Sequence, residues 1–520
     1  MALARAWAVA LAGVTGQVVE VEADLAQGLP ALTIIGLPDA ALSESRDRVR
    51  SAIVNSGEAW PQKRITLGLS PATLPKHGSG FDLPMAAAIL CAAGVLPAPA
   101  LHEMVLLGEL GLDGRVRAIR GVLPAALAAS EAGFHRVVVP EANAAEAALL
   151  PELEVWAVDS LRELLDTVRD GRPPLRVVPS QLDTARLRQP ESACLSGNSA
   201  AAEPDLSDVL GQPAGRRAIE VAAAGSHHTF LVGDPGTGKT MLAARLPGLL
   251  PSLDRRAALE VTSVHSVAGV LPSDCPLVTR PPFRDPHHTA SVSALIGGGS
   301  GMARPGQISL AHKGILFLDE APEFNSGVLD ALRQPLESGH VRIARSGGVA
   351  EYPARFLLVL AANPCGCATA ASPSACTCSP LVRRRYLSRL SGPLLDRVDL
   401  QVRMHPVSRA EFLADRNQAE PTEVVAKRVL IARERSAERF AGLPWSSNSE
   451  IPGRELRGRW APPRPAMVAA ERALETGWIS LRGLDRVMRV AWTLADLADR
   501  SRPGADEIDE ALYLRTGVAA

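Results

Sequence analysis

The segment GDPGTGKT, Gly233–Thr240, constrains this chain more than any other. It fits G-x-x-x-x-G-K-[ST], with apolar Phe230, Leu231 and Val232 leading in and a helix-like MLAARL following. A strand that turns through glycines into a helix leaves backbone N–H groups converging on one point, a nest for phosphate oxygens. Gly233, Asp234, Pro235, Gly236, Thr237 and Gly238 supply that turn, and Met241 continues the helix behind it. Lys239 is placed to reach the outer phosphates, and the Thr240 hydroxyl to take a magnesium ion. A second segment, ILFLDE at Ile315–Glu320, reads as a buried strand ending in two carboxylates. Asp319 is placed to hold the water on magnesium and Glu320 to polarise an attacking water. The pair predicts a parallel-sheet core that binds ATP with Mg2+ and hydrolyses it.

Length and charge bound the remainder. A chain of 520 residues has room for two to four domains. Hydrophobic residues make up 47% and charged residues 21%, the balance of an ordinary globular protein, and the net charge is −1. Any contact with nucleic acid must therefore be local rather than a basic face. The opening MALARAWAVALAGV superficially resembles a signal peptide, yet VVEVEADL continues it as a strand without a convincing cleavage site, so a core strand is expected. No apolar run approaches a membrane span, and no membrane partner is expected. Seven cysteines, an odd number, point to a reducing cytoplasm.

Composition divides the chain. Residues 171–204, GRPPLRVVPS and then QPESACLSGNSAAAEPD, are rich in Pro, Ser, Ala and Gly without periodicity and read as a linker. Residues 1–170 look α/β. Residues 205–405 alternate short apolar strands with helices, and 406–520 carry apolar residues at three- and four-residue spacing, as helices do. The hairpin signal LESGHVRIARSGGVAEYPARF, from Leu336, places Arg345 at a tip with Arg342 close by. Cys365, Cys367, Cys376 and Cys378 form CxC-x8-CxC, which reads either as a zinc site or as reduced free thiols. His287 and His288, in FRDPHHTAS, read as a polar loop rather than a metal site.

Several segments resemble known families. VLLGELGLDGRVRAIRGVLPAALAASEAGFHRVVVPEANAAEA, from Val105, and LPKHGSGFDLPMAAAIL, from Leu74, resemble the proteolytic domain of Lon proteases. That resemblance implies an α+β domain of the ribosomal S5 domain 2 type. The position of the family's serine falls here on Gly80 or Asp82, and that of its lysine within Gly121–Ala125, so the Ser–Lys dyad is absent. Ser79 then lacks an activating lysine, no peptidase activity is implied, and Lys76 and Asp82 read as surface or interface charges. DVLGQPAGRRAIEVAAAG, from Asp208, resembles the AAA+ segment that closes over adenine, with Val209, Leu210 and Gly211 against the base. Asn363, ending the strand in FLLVLAANPCGC, resembles sensor 1; Arg397, in SGPLLDRVDL, resembles the arginine finger given to a neighbouring subunit; Arg482 resembles the sensor 2 arginine of a helical lid. The stretch Glu260–Glu320 resembles the helix-2 insert of the clade that includes magnesium chelatase and the MCM helicases, and the Leu336 hairpin its pore hairpin.

From end to end the order and spacing resemble the YifB/ComM family of magnesium-chelatase-like AAA+ proteins. Two departures are Gln307, in place of Glu in PGEISLAH, and Trp492, in place of Arg in ARTIADL, which could alter a partner or DNA surface. The resemblance implies a multidomain α/β protein: a Lon-like N-terminal domain, a P-loop AAA+ core and an α-helical lid. It implies an ATP-promoted homohexamer and two classes of function. One is a DNA motor of the ComM type, a helicase driving branch migration on single-stranded or branched DNA. The other is a magnesium-chelatase-type ATPase driving a separate partner. The family's chelatase ATPase subunits lack the Lon-like block, which favours the motor.

Overall fold

The protein is described here by a computed structural model covering residues 2–37, 39–170, 175–177, 204–272, 275–299, 303–345, 348–367, 376, 378–416 and 419–517. The chain opens with β1 (Ala2–Ala12) and β2 (Thr15–Ala26), a long antiparallel hairpin with Ala12 opposite Thr15. Val19, Val21, Ala23 and Leu25 are buried while the acidic Glu20, Glu22 and Asp24 alternate with them, the period of two that a half-buried strand imposes. The apolar opening is thus a sheet strand, as its continuation into VVEVEADL predicts. β3 (Ala31–Ile35), α1 (Ala40–Asn55), β4 (Arg64–Ser70), α2 (Asp82–Ala92), β5 (Met104–Leu106), α3 (Val122–Glu131), β6 (Arg136–Pro140), β7 (Glu154–Val158) and β8 (Leu175–Val177) follow. The eight strands form one mixed sheet in the order β8-β7-β6-β5-β1-β2-β4-β3. Helix α2, DLPMAAAILCA, is buried on every side, because small and aliphatic residues circle it completely.

Two expectations change here. The stretch 171–204 is not wholly a linker, since β8 pairs antiparallel with β7; residues 171–174 and 178–203 of that reading lie outside the described residues. Lys76 and Asp82 are not surface charges. Both side chains are fully enclosed. Lys76 Nζ donates to the carbonyls of Leu69, at 3.0 Å, and Pro71, and burial lowers its ammonium from the ordinary value. Asp82 takes Arg48 Nε at 2.8 Å, Arg48 Nη2 at 3.2 Å and the Leu110 N–H at 3.2 Å. Burial still raises its carboxyl against those partners. A buried charge is tolerated only when it is bonded in this way, so both residues are structural.

The second sheet is built from α4 (Pro213–Gly225), β9 (Thr229–Gly233), α5 (Lys239–Arg245), α6 (Arg255–Ala268), β10 (Phe283–Arg284), β11 (Ile315–Leu318), β12 (His340–Arg345), β13 (Gly348–Pro353), β14 (Leu357–Ala362), α7 (Pro380–Leu387) and β15 (Leu400–Met404). Five strands pair in parallel, in the order β10-β11-β14-β9-β15. Every residue of β11 and β14 is buried, which is why ILFL and LLVLAA are continuous apolar runs rather than alternating ones. β12 and β13 stand apart as a two-stranded hairpin. Gly13, at the β1–β2 turn, sits at φ +70°, and a Cβ there would come within 2.3 Å of Glu351 O on that hairpin. Only glycine lets the two hairpins meet so closely.

Three longer helices, α8 (Thr422–Arg439), α9 (Leu481–Leu497) and α10 (Ala505–Thr516), complete the fold, with α8 and α9 against α4. Trp492 faces inward at 2% exposure, its indole N–H on Trp460 O at 2.9 Å and its ring under Arg439. Its presence therefore changes packing between helices, not a partner or DNA surface. Among the described residues no helix is long and apolar enough to cross a membrane.

Candidate nucleotide site

Parallel strands end on one edge, and the neighbour order β11-β14-β9 brings three chain segments together there. β9 runs into Asp234–Gly238, β11 into Asp319 and Glu320, and β14 into Asn363. Gly236 and Gly238 adopt φ +80° and +89°, and nothing lies within 4 Å of where a side chain would begin. These two glycines leave an open cradle before α5. Lys239 Nζ donates to Gly233 O at 2.7 Å, Asp234 O at 2.9 Å and Asn363 Oδ1 at 3.0 Å. Burial lowers its ammonium below the ordinary value, opposed by Asp319, Asp234 and Glu320. Thr240 Oγ1 donates to Asp319 Oδ2 at 2.7 Å, so the two hard oxygen donors suited to magnesium are already adjacent.

Glu320 sits in the left-handed region, φ 50° and ψ 43°, unusual for a residue with a side chain and frequent where a site imposes its geometry. His288 Nδ1 lies 3.4 Å from Glu320 Oε2. The His288 ring lies against that of His287, centroids 4.1 Å apart and tilted by 33°, and His287 Nδ1 meets Thr289 Oγ1 at 2.9 Å. Sequence reasoning left these imidazoles in a polar loop and did not connect them with Glu320. The signal available was a tandem histidine inside an insert longer than its connection requires.

The structure places Gly211 at the same edge. Its φ is +70°, its N–H donates to Asp415 Oδ2 at 2.7 Å, and a Cβ would strike Val407, just beyond β15. Val209 is buried in the core beside Leu206, and Met241, in α5, is exposed. Arg397 and Arg482 lie elsewhere. Both line a cleft of about 930 Å³ that also touches Ser226 and His228, which precede β9. This is the opposite edge of the sheet from the cradle. Arg397 donates to Pro393 O at 2.6 Å and pairs with Glu337. Arg482 is exposed, without an ion pair among the described residues. On the hairpin, Arg342 Nε is bound to Glu351 Oε2 at 2.6 Å, opposite it in register, whereas Arg345 is exposed in the last pair before the tip. The tip residues Ser346 and Gly347 lie outside the described residues.

The four cysteines Cys365, Cys367, Cys376 and Cys378 gather just behind Asn363, all four Sγ atoms within 4.8 Å of one another. Among the described residues they form the one cluster of three or more Cys, His, Asp or Glu side chains close enough to share an ion, and the histidine pair joins none.

Comparison with known proteins covers almost the whole chain. The family described as "Magnesium chelatase, subunit ChlI" matches residues 205–412. "Subunit ChlI of Mg-chelatase" matches 21–143, and "Magnesium chelatase, subunit ChlI C-terminal" matches 419–515. A protein of Mycobacterium tuberculosis is 53% identical over 515 residues, covering 99% of each chain. YifB of Escherichia coli is 39% identical over 97% of this chain and 95% of its own. The competence protein ComM of Haemophilus influenzae is 38% identical over 100% of this chain and 98% of its own. The chain belongs to the YifB/ComM family of magnesium-chelatase-like AAA+ proteins.

Proposed function

We propose that the chain is an ATP-hydrolysing motor that works as a ring and acts on DNA. The observation that carries the hydrolytic part is the meeting of Lys239, Thr240, Asp319, Glu320 and Asn363 at one sheet edge, beside an open glycine cradle. The donor set fits ATP and magnesium: one ammonium, two oxygen ligands and a turn left open at Gly236 and Gly238. Magnesium, when bound, neutralises charge on the phosphates. Lys239 then adds charge complementarity, Glu320 polarises the attacking water, and Asn363 fixes Lys239 and that water.

The ring is supported by the two arginines. Arg397 and Arg482 share a cleft at the edge opposite the cradle, a placement that speaks for service to a neighbouring subunit's nucleotide rather than their own. A neighbour presenting its cradle to that cleft would receive both. We read 1–170 as a Lon-like domain without peptidase chemistry, 205–405 as the AAA+ core and 406–520 as the lid, with a cytoplasmic setting.

DNA is supported by the full-length likeness to a competence protein and by the exposed Arg345 at the hairpin's end. Arg342 contributes less than its position implies, because Glu351 neutralises it. Repeated copies of Arg345 around a ring would meet phosphates without reading sequence, with steep salt dependence. The second reading, an ATPase driving a separate chelatase-type partner, is favoured by the description of the matching families. The block at 21–143 does not separate the two, since its matching family also carries a chelatase subunit's name. The test is ATP turnover with and without branched DNA. Stimulation at least ~3-fold in the wild type, lost in Arg345→Ala while basal turnover persists, is expected. Turnover indifferent to DNA at low salt would favour the protein-partner reading.

A further inference from the structure

We propose that Cys365, Cys367, Cys376 and Cys378 bind a single zinc ion that locks the turn behind Asn363 onto helix α7. The thiols come from two CxC pairs far enough apart in sequence that nothing local forces them together. Yet Cys365 Sγ lies 2.9 Å from Cys367 Sγ and 3.4 Å from Cys376 Sγ, and Cys367 Sγ lies 3.5 Å from Cys376 Sγ. All four fall within 4.8 Å. Thiolates about 2.3 Å from one tetrahedral ion stand about 3.8 Å apart, in the middle of this spread. A disulfide would bring two sulfurs far closer, and all four thiols are free. A multi-iron cluster divides its thiolates among several irons and spreads the set wider. One soft, tetrahedral ion fits the set.

The surroundings fit the charge. Four thiolates leave a zinc site at two negative charges, and Arg383 Nη2 donates to Cys376 Sγ at 3.4 Å. Arg383 belongs to α7, whose N-terminus is capped by Ser379, one residue after Cys378. Gly366, between the first two cysteines, lies against the buried Tyr386 ring of the same helix, where a Cβ would approach to 3.1 Å. Beyond α7, Arg389 pairs with Glu323 at 3.1 Å, three residues past Glu320. The ion would therefore tie α7 to the end of β14, two residues from the amide that holds Lys239. Binding releases the thiol protons, so loading falls as pH drops. The site stands on its own geometry; only its effect on turnover rests on the hydrolytic reading.

The test uses the full-length protein, purified without chelator under reducing conditions. Elemental analysis should find one zinc per chain, and a mercurial reagent should release it as the four thiols react. Cobalt exchanged into the wild type should show the intense thiolate-to-cobalt absorption of a tetrahedral sulfur site. Cys367→Ser with Cys376→Ser should retain less than about a fifth of the zinc and lose that band. Proteolysis between residues 363 and 380 should quicken in the variant or after zinc release. Zinc below about a tenth per chain with no reloading, iron in its place, or a disulfide among the four overturns the proposal. The cobalt spectrum of the wild type decides the matter even if the double variant fails to fold.

Discussion

Lys239 is held by three oxygen acceptors, and one of them, Asn363 Oδ1, comes from a different strand. Its ammonium is preorganised rather than free to swing. Glu320 is held differently: its backbone is left-handed, and His288 Nδ1, from the insert, lies 3.4 Å from its carboxylate. From there His288 could aim the Glu320 carboxylate, which the following variants test. Glu320→Gln should bind ATP normally and turn over at least ~100-fold slower. His288→Ala should also bind normally, with turnover falling about tenfold because the carboxylate loses its aim. Fluorescent-nucleotide affinity alongside steady-state turnover separates binding from chemistry. Wild-type turnover in His288→Ala would make the 3.4 Å contact incidental.

Helix α6 shows how one element ties the two sheets. Ser266 Oγ accepts from Gly121 N at 3.0 Å, at the start of α3, and donates to the buried Glu146, which also accepts from Leu123 N at 2.8 Å. One residue earlier His265 is fully enclosed, with Nε2 on Leu310 O at 3.1 Å and no partner for Nδ1 among the described residues. Burial, with Arg284 and His312 adding repulsion, lowers its pKa to about 4. An unfolded imidazole titrates near 6.5. The neutral ring is thus compatible with the fold above about pH 6.5, and stability is lost as pH falls from there toward 4, by up to roughly 3 kcal/mol. Glu146 works in the opposite direction, since burial raises its carboxyl. The difference in urea midpoint between wild type and His265→Gln, followed from pH 7 to 4, isolates the histidine and should shrink as pH falls. A constant difference would mean that burial leaves the titration of His265 unshifted on folding. Elements like β11 and β14 were legible because a fully buried strand must be apolar throughout, and the cradle because its glycines are needed where φ is positive. The enclosed charges of Lys76 and Asp82 were not, because Asp82 is paired with Arg48, distant in sequence, and Lys76 with backbone carbonyls, which every residue carries. Nor was the contact of His288 with Glu320, which depends on how a long insert folds back.

Across the whole molecule, the decisive relation is that the phosphate cradle and the Arg397–Arg482 cleft occupy opposite edges of one sheet. An arginine on the far edge reaches a γ-phosphate only if that phosphate belongs to the next subunit. The sequence resemblance gave Arg397 to a neighbouring subunit and named no subunit for Arg482; on the ring proposed above, their shared cleft would turn both toward the same neighbour. Mixing of inactive variants tests this without knowing the ring size. Lys239→Ala lacks a cradle but keeps both arginines, and Arg397→Ala lacks one arginine but keeps the cradle. Mixed equally and at random, about one interface in four pairs an intact cradle with an intact cleft, so turnover should reappear at up to roughly a quarter of wild type. Lys239→Ala with Arg482→Ala should behave the same way. Arg397→Ala with Arg482→Ala should not recover, because every cleft then lacks one arginine. Recovery in that third mixture would show that the two arginines serve different subunits, and no recovery in the first would place Arg397 outside the neighbour's site.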